Sequence, residues 1–406
     1  MSTPTAQLAG YPFGTPHTDD DDPGLARLRA AEPVTRVRIN GDQEVWLATR
    51  YEDVRQVLSD PRFSRAANLT PGSPTLFLGE QLPDMMLNMD PPGHTRVRSL
   101  VSRGFTARAI ERLRPRIQAI TDDLLADLAA AGPPADLVAG LSRPLTTMVI
   151  CELIGVPFAE RERLLEFVQL LGAAITPTAD EARRIMTESS GYLLGLIARK
   201  RRQPADDLLT ALTETHDGGD RLTEAELLNT TLLLFAAGHD TTLNHLVNSV
   251  LVLFRHPDQL ARLIGAPDLV PAAVEELLRY VRLTSGGLTR VATADVVVGG
   301  VRIRAGEAVI PIGHSANRDA AVFDQPDELD LNRPNAAGHL QFGHGIHYCL
   351  GAALARAELQ VALLALLTRF PSLRLAVDEA DLRWQPGHLV RRLQALPVTW
   401  ATDRRR

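Results

Sequence analysis

Cysteine is nearly missing from this 406-residue chain: only Cys151 and Cys349 occur. Two thiols make no disulfide framework, so a reducing compartment, the cytoplasm, is expected. Lysine is scarcer still, with Lys200 alone against 42 arginines. Long blocks of one charge sign are absent apart from Asp19 to Asp22, and the net charge is −6. No nucleic-acid partner is expected from such a charge pattern. The N-terminal stretch is polar and proline-rich. It has neither the charged-then-apolar layout of a secretory leader nor a membrane anchor, so no membrane association is expected. Internal repeats and an interdomain linker are lacking too. Apolar residues make up 45% of the chain, enough for a substantial core.

What is present converges on Phe342-Gly343-His344-Gly345-Ile346-His347-Tyr348-Cys349-Leu350-Gly351. Its glycines allow tight turning and close approach to something flat or bulky. The residues from Ala352 to Phe370 are strongly helix-forming. Cys349 therefore stands where a loop enters a helix, with amide N–H groups and the positive end of the helix dipole toward its sulfur. Such a position is expected to favour thiolate over thiol. Three roles are open: a buried structural cysteine, a zinc ligand alongside His339, His344 and His347, or a thiolate ligand of haem iron. The zinc reading lacks any paired C-x-x-C spacing.

Residues 1–31, rich in Pro, Asp and Thr, are expected to be partly ordered, and 32–406 to form one domain. Strands are predicted at 34–39 and 44–48 around the turn Asn40-Gly41-Asp42, followed by a short helix at 51–59. The segment 65–88 mixes prolines and glycines with Leu76, Phe77, Leu78, Met85 and Met86. Irregular backbone this apolar should cover a hydrophobic surface. Helical periodicity recurs at 108–130, 141–154, 160–171, 181–201 and 206–215, with Cys151 in an apolar run. The link 172–180 is a candidate lid. Short strands at 289–292, 296–298, 301–303, 308–311, 382–384 and 396–400 give a mainly α fold with a smaller β-sheet region, an α+β class.

Two further constellations stand out. After Asp90-Pro91-Pro92-Gly93, His94 and Arg98 are four apart and share a helix face. That face is either a solvated basic surface or a clamp for an anion. The longest predicted helix runs from Thr223 to Phe254, roughly 48 Å. Thr223 and Glu226 form a capping box at its start, and His256-Pro257 ends it. It is apolar on all sides and hence buried, but Asn229, Asp240, Asn244, His245 and Asn248 interrupt it too often for a membrane span. Its middle reads Ala236-Ala237-Gly238-His239-Asp240-Thr241-Thr242. The glycine alone weakens a helix by about 1 kcal/mol. Asp240 has no Lys or Arg within four residues. Such a carboxylate reaches solvent or a distant arginine, or has a chemical task. On the next helix, 270–282, Glu276 and Arg279 are spaced to pair.

The cysteine loop resembles the haem-binding loop of the cytochrome P450 family. Phe342, Gly343, Gly345, His347, Cys349 and Gly351 fill every fixed position of F-G-x-G-x-H-x-C-x-G. Ala237 to Thr242 resembles the family's A-G-x-[DE]-T-T segment, and Glu276 with Arg279 its E-x-x-R pair, Arg333 matching the third member of that ion network. The likeness extends from about Val34 to Trp400. Gln341 and Ala353 depart from it, where an apolar residue and a proline are commoner.

The resemblance, to the bacterial soluble ferredoxin-dependent type, implies a triangular helix-rich single domain around a long central helix. It implies a monooxygenase that inserts one oxygen atom of O2 into a C–H or C=C bond of a hydrophobic small molecule. A polyketide, macrolide, terpenoid or steroid-like secondary metabolite fits, as in antibiotic biosynthesis. A haem-binding protein of the same fold with a peroxygenase or non-oxidative role is the alternative. The implied cofactor is haem b with Cys349 as axial thiolate. Its propionates fall to His94, Arg98, Arg290 and His347, although Arg290 taken alone suits an ordinary edge-strand charge. Phe342, Gly343, Gly351, Ala237 and Gly238 would border the haem, Gly238 leaving room for a diatomic ligand. Asp240 and Thr241 become a proton-delivery couple, while Glu276, Arg279 and Arg333 hold the fold. Met85, Leu87, Leu233, Ala237, Leu288, Leu389 and Val390 would line the substrate pocket. The chain has no flavin or ferredoxin segment, so NAD(P)H-derived electrons are expected from a ferredoxin reductase and a ferredoxin. The ferredoxin would dock on the cysteine side near Arg103, Arg112 and Arg356 of a cytoplasmic monomer.

Overall fold

Residues 8–12, 22–76, 82–173, 178–214 and 221–402 are described by a computed structural model of the chain. Helices α1 (Pro23–Ala31), α2 (Tyr51–Ser59), α3 (Gly93–Val101), α4 (Ala107–Ala131), α5 (Arg143–Ile154), α6 (Glu162–Leu171), α7 (Ala179–Arg202) and α8 (Leu208–Glu214) precede the long α9 (Glu224–Arg255). After it come α10 (Pro257–Gly265), α11 (Val270–Tyr280), the single turn α12 (Gly313–Ala316) and α13 (Ala352–Arg369). The class is the expected one, helices with small sheets.

The capping box starts α9 as its sequence predicts: Glu226 N–H donates to Thr223 Oγ1 at 3.1 Å, and Thr223 N–H to Glu226 Oε2 at 2.8 Å. Helices α5, α6, α7 and α13 pack around α9, and Leu232, Phe235, Leu246 and Leu251 are buried along its length. Polar interruptions of that apolar surface find partners inside. His239 Nδ1 lies 3.0 Å from Thr147 Oγ1, and His245 Nδ1 lies 3.1 Å from Ser249 Oγ. No described helix is long and apolar enough to cross a membrane.

The largest sheet orders its strands Val34–Ile39, Gln43–Ala48, Ala308–Pro311, Arg290–Ala292 and Phe63–Ser64. All neighbours are antiparallel except Gln43–Ala48 against Ala308–Pro311, which pair Trp46 with Val309 in parallel. Arg290 therefore sits in the sheet interior, between two strands, rather than on an edge.

Some expectations change. Within residues 1–31 a helix forms, because Asp22 caps Gly24 N–H at 2.9 Å, Pro23 occupies the first turn and Leu25 is fully buried. The predicted helix 141–154 begins with a wide turn, Val138–Ser142, before α5. Phe77 and Leu78, and positions 174–177 of the candidate lid, lie outside the described residues.

The three ion-network residues meet. Glu276 accepts from Arg279 Nε and Nη2, both at 2.7 Å, and from Arg333 Nε at 3.1 Å on each oxygen. Arg279 Nη1 also donates to the carbonyls of Asn317 and Pro326 at 2.8 Å. The group is buried and pins the segment leading to the cysteine loop onto α11. Removing the one anion leaves two desolvated guanidiniums, and breaking a buried pair costs about 3–5 kcal/mol. Denaturant titration of Glu276→Ala should show a loss of that order; unchanged stability would contradict the role.

Candidate active site

A cavity of about 390 Å³ lies between the middle of α9 and the cysteine loop. The loop is closed by Cys349 N–H donating to Phe342 C=O at 2.8 Å. Gly343 and Gly345 have φ of 74° and 72°. A Cβ at Gly345 would also stand 2.6 Å from the Leu58 carbonyl oxygen, so only glycine fits there. Gly351 lines the cavity, and a Cβ on it would meet nothing within 4 Å.

Cys349 has accessible surface and lines the cavity. Burial raises its thiol pKa; the Gly351 amide, Arg98 and Arg356 pull the other way without overcoming it. This corrects the expectation that the helix entrance alone favours thiolate. A buried sulfur here ionises when an electrophile, such as a metal, takes the charge. Phe342 lies under the Arg356 guanidinium at 4.7 Å, and its ring is edge-on to Tyr348 at 6.3 Å. Arg356 is half-buried and is bound by Glu275 at 2.6 and 2.9 Å. Arg112 is exposed on α4.

His94 and His347 meet at 4.2 Å between ring centroids with their planes tilted by 47°, and both line the cavity with Arg98 and Arg290. Three buried nitrogens in this cluster have no partner: His94 Nε2, His347 Nε2 and the donor Arg290 Nε. Burial, with Arg290 next, drives His347 down to about 2. Burial, with Arg65 next, brings Arg290 down to about 9. Asp90 is already engaged by Ser64 and by the Arg65 amide. Buried donors without acceptors cost free energy. Their arrangement matches a ligand carrying carboxylates, and with the adjacent sulfur they fit haem and its propionates. The four residues proposed for the propionates are thus brought together. Arg98 Nη2 also donates to the Tyr348 carbonyl at 2.6 Å, tying α3 to the loop.

Across the cavity, α9 presents Ala237, Gly238, Thr241 and Thr242. Thr241 Oγ1 donates to the Ala237 carbonyl at 2.7 Å. Gly238 lines the cavity, and a Cβ on it would lie 2.6 Å from Ile150 Cδ1, so this glycine also lets α5 approach α9. Asp240 is absent from the cavity wall. Its carboxylate receives Arg392 Nη2 at 2.6 Å and Asn244 Nδ2 at 3.0 Å. Burial pushes its pKa up, and Arg392 and Asn244 hold it down in part. Arg392 is 152 positions away, beyond any local charge count.

Leu87, Leu233, Ala237, Leu288 and Leu389 line the cavity as expected. Met85 is packed in the core instead, and Met86 takes its place on the wall. Val390 is buried and off the wall, its backbone bridging to Thr284. Sequence reasoning also missed Ile150 and Leu234, which come from helix faces whose direction only packing fixes. Among the described residues no group of three His, Cys, Asp or Glu is placed to hold a metal ion, which removes the zinc reading.

The family model for cytochrome P450 matches residues 161–266 and 267–385. The nocardicin C N-oxygenase of Nocardia uniformis subsp. tsuyamanensis is 48% identical over 392 residues, covering 96% of this chain and 98% of that one. The mycinamicin IV hydroxylase/epoxidase of Micromonospora griseorubida is 44% identical, covering 98% and 100%. The crystal structure of HinD with NMFT and NO superposes with a TM-score of 0.92 at 43% identity, over 98% of this chain and 100% of that one. The chain belongs to the cytochrome P450 family. It is a P450 monooxygenase, an enzyme of haem-thiolate iron and O2.

Gly287 precedes Leu288 and Arg290 on the cavity wall, and a Cβ on it would lie 1.9 Å from the Pro311 carbonyl oxygen. Gly287→Ala must shift this backbone and with it Arg290. Haem transfer from the variant to a scavenger apoprotein should be about tenfold faster or more, since one charge-assisted hydrogen bond is worth roughly 1.5–3 kcal/mol. A wild-type transfer rate would count against the cradle.

Proposed function

We propose that this enzyme oxidises a hydrophobic secondary metabolite, inserting one oxygen atom into a C–H or C=C bond. The observation that carries the reading is the wall itself: leucines 87, 233, 234, 283, 288 and 389 with Met86 and Ile150 line the same cavity as Thr241 and Cys349, and its two arginines are Arg98 and Arg290. The relatives' printed names support the class, since they include a mycinamicin hydroxylase/epoxidase and a nocardicin N-oxygenase. A polyketide, macrolide, terpenoid or steroid-like molecule suits this wall.

Haem b bound by Cys349 supplies O2 activation, thiolate donation favouring O–O cleavage. The chain does the rest. His94, Arg98, Arg290 and His347 hold the haem carboxylates, and Gly351 N–H donates to the sulfur and tempers its charge. The leucine wall excludes water from the substrate. Thr241, whose hydroxyl is parked on the Ala237 carbonyl, offers a proton at the cavity face, and Asp240 resupplies it. Electrons come from NAD(P)H through a ferredoxin reductase and a ferredoxin docking on the cysteine side. We place the working enzyme in the cytoplasm as a monomer.

Thr241→Ala should keep its haem while product per electron falls about tenfold or more, the difference appearing as hydrogen peroxide, since one positioned proton donor contributes roughly 10²–10⁴. Peroxide and product are counted against NAD(P)H consumed. Wild-type coupling in the variant would remove Thr241 from proton delivery.

A further inference from the structure

Behind the cavity wall lies a fully buried cation, Arg65. Its backbone is fixed at the end of the strand Phe63–Ser64, where Ser64 pairs with Val291, and its own N–H donates to Asp90 Oδ1 at 2.9 Å. From that root all three guanidinium nitrogens donate to carbonyl oxygens. Nε donates to the Leu87 carbonyl at 3.1 Å, Nη2 to Asn88 Oδ1 at 2.8 Å, and Nη1 to the Thr289 carbonyl. A buried guanidinium is costly unless its donors are met, and here each nitrogen has an acceptor.

Those acceptors belong to two stretches of wall that are far apart in sequence. Leu87 lines the cavity, and Thr289 stands between Leu288 and Arg290, which line it too. Asn68 Nδ2 adds a second donor to the Thr289 carbonyl at 2.5 Å, and Asn88 Nδ2 donates to the Leu82 carbonyl at 2.9 Å. The Leu87 side is a short 3-10 turn, Met86–Asn88, closed by Asn88 N–H donating to the Met85 carbonyl at 2.8 Å. A turn of three residues has little regular structure of its own to hold it. One planar fork thus spans from the Leu87 turn to the Leu288–Arg290 segment. Lysine would keep the charge but has a single nitrogen, which cannot reproduce the fork. The charge is felt locally as well: after burial, Arg65 is the next cause that brings Arg290 down to about 9. Geometry and charge therefore have to be told apart.

We propose that Arg65 is a positioning residue for specificity: its guanidinium fork fixes the Leu87 turn relative to the Leu288 segment, and so sets how well the cavity holds a bulky hydrophobic molecule. This builds on the reading of Leu87 and Leu288 as substrate contacts. With the fork in place the two leucines are ordered before anything binds. Without it a bulky ligand must order them itself, and its affinity falls. A small ligand that does not reach both leucines is indifferent to the fork.

The test titrates the purified haem-loaded protein with imidazole and with 4-phenylimidazole, reading the absorbance change as ring nitrogen binds the iron. In Arg65→Met the Kd for 4-phenylimidazole should rise about tenfold or more and that for imidazole less than about twofold, because only the larger probe has to order both leucines. Arg65→Lys should behave as Arg65→Met does. In both variants exchange of the Asn88 amide hydrogen should be about tenfold faster or more, as the turn opens more easily. In a Leu87→Ala/Leu288→Ala background the effect of Arg65→Lys on 4-phenylimidazole should shrink to less than about twofold, since the residues it acts through are gone. A wild-type ratio of the two Kd values in Arg65→Lys overturns the proposal and leaves Arg65 a charge or a structural group only, even if Arg65→Met fails to hold haem. Wild-type 4-phenylimidazole affinity in Leu87→Ala/Leu288→Ala overturns the wall reading beneath it instead.

Discussion

The site depends on one unfavourable arrangement: the sulfur of Cys349 stands on a cavity wall beside buried nitrogens that have no partner. Burial raises the thiol pKa, and the Gly351 amide and two arginines do not compensate. A few ångströms of wall away, His94, His347 and Arg290 carry buried nitrogens without partners. Each feature alone costs free energy. Both features fit the haem-thiolate cofactor of the family, which would take a thiolate from Cys349 and present its carboxylates to the His94–Arg290 cluster.

Two neighbouring acids on α11 make the loop rigid enough to hold that strain. Glu275 binds Arg356 of α13, whose guanidinium covers Phe342. Glu276 binds Arg279 and Arg333 and so anchors the chain entering the loop. The loop is clamped from both ends by one helix. The oxygen side differs in character. There, Thr241 and Asn244 bond backbone carbonyls of their own helix, and Asp240 depends on a residue from another element. The cysteine loop is thus tied to one helix, while Asp240 on α9 is tied to the C-terminal strand through Arg392.

Much of this was legible in the sequence. Local chemistry fixes caps and turns, so the Thr223–Glu226 box, the short strands Val296–Val298 and Val301–Ile303, and the cysteine loop follow from adjacent residues. The Glu276–Arg279 spacing is likewise a helix-face property. Illegible were the facts that depend on which way a face turns once packed. Met85 and Met86 are neighbours, yet one is core and the other cavity wall. Gly238 reads as space, and its close contact with Ile150 of another helix is set by packing. Asp240 reads as unpaired because its arginine arrives with the C-terminal strand. α1 was hidden by a polar, proline-bearing segment in which a single leucine makes the contact.

The most direct test of the central claim is the absorbance spectrum of the purified protein, reconstituted with haemin, reduced and saturated with carbon monoxide. Thiolate ligation by Cys349 predicts the spectral signature of a thiolate-bound ferrous carbonyl in the wild type and its loss in Cys349→Ala. A protein that takes up no haemin, or whose signature survives in Cys349→Ala, would contradict it.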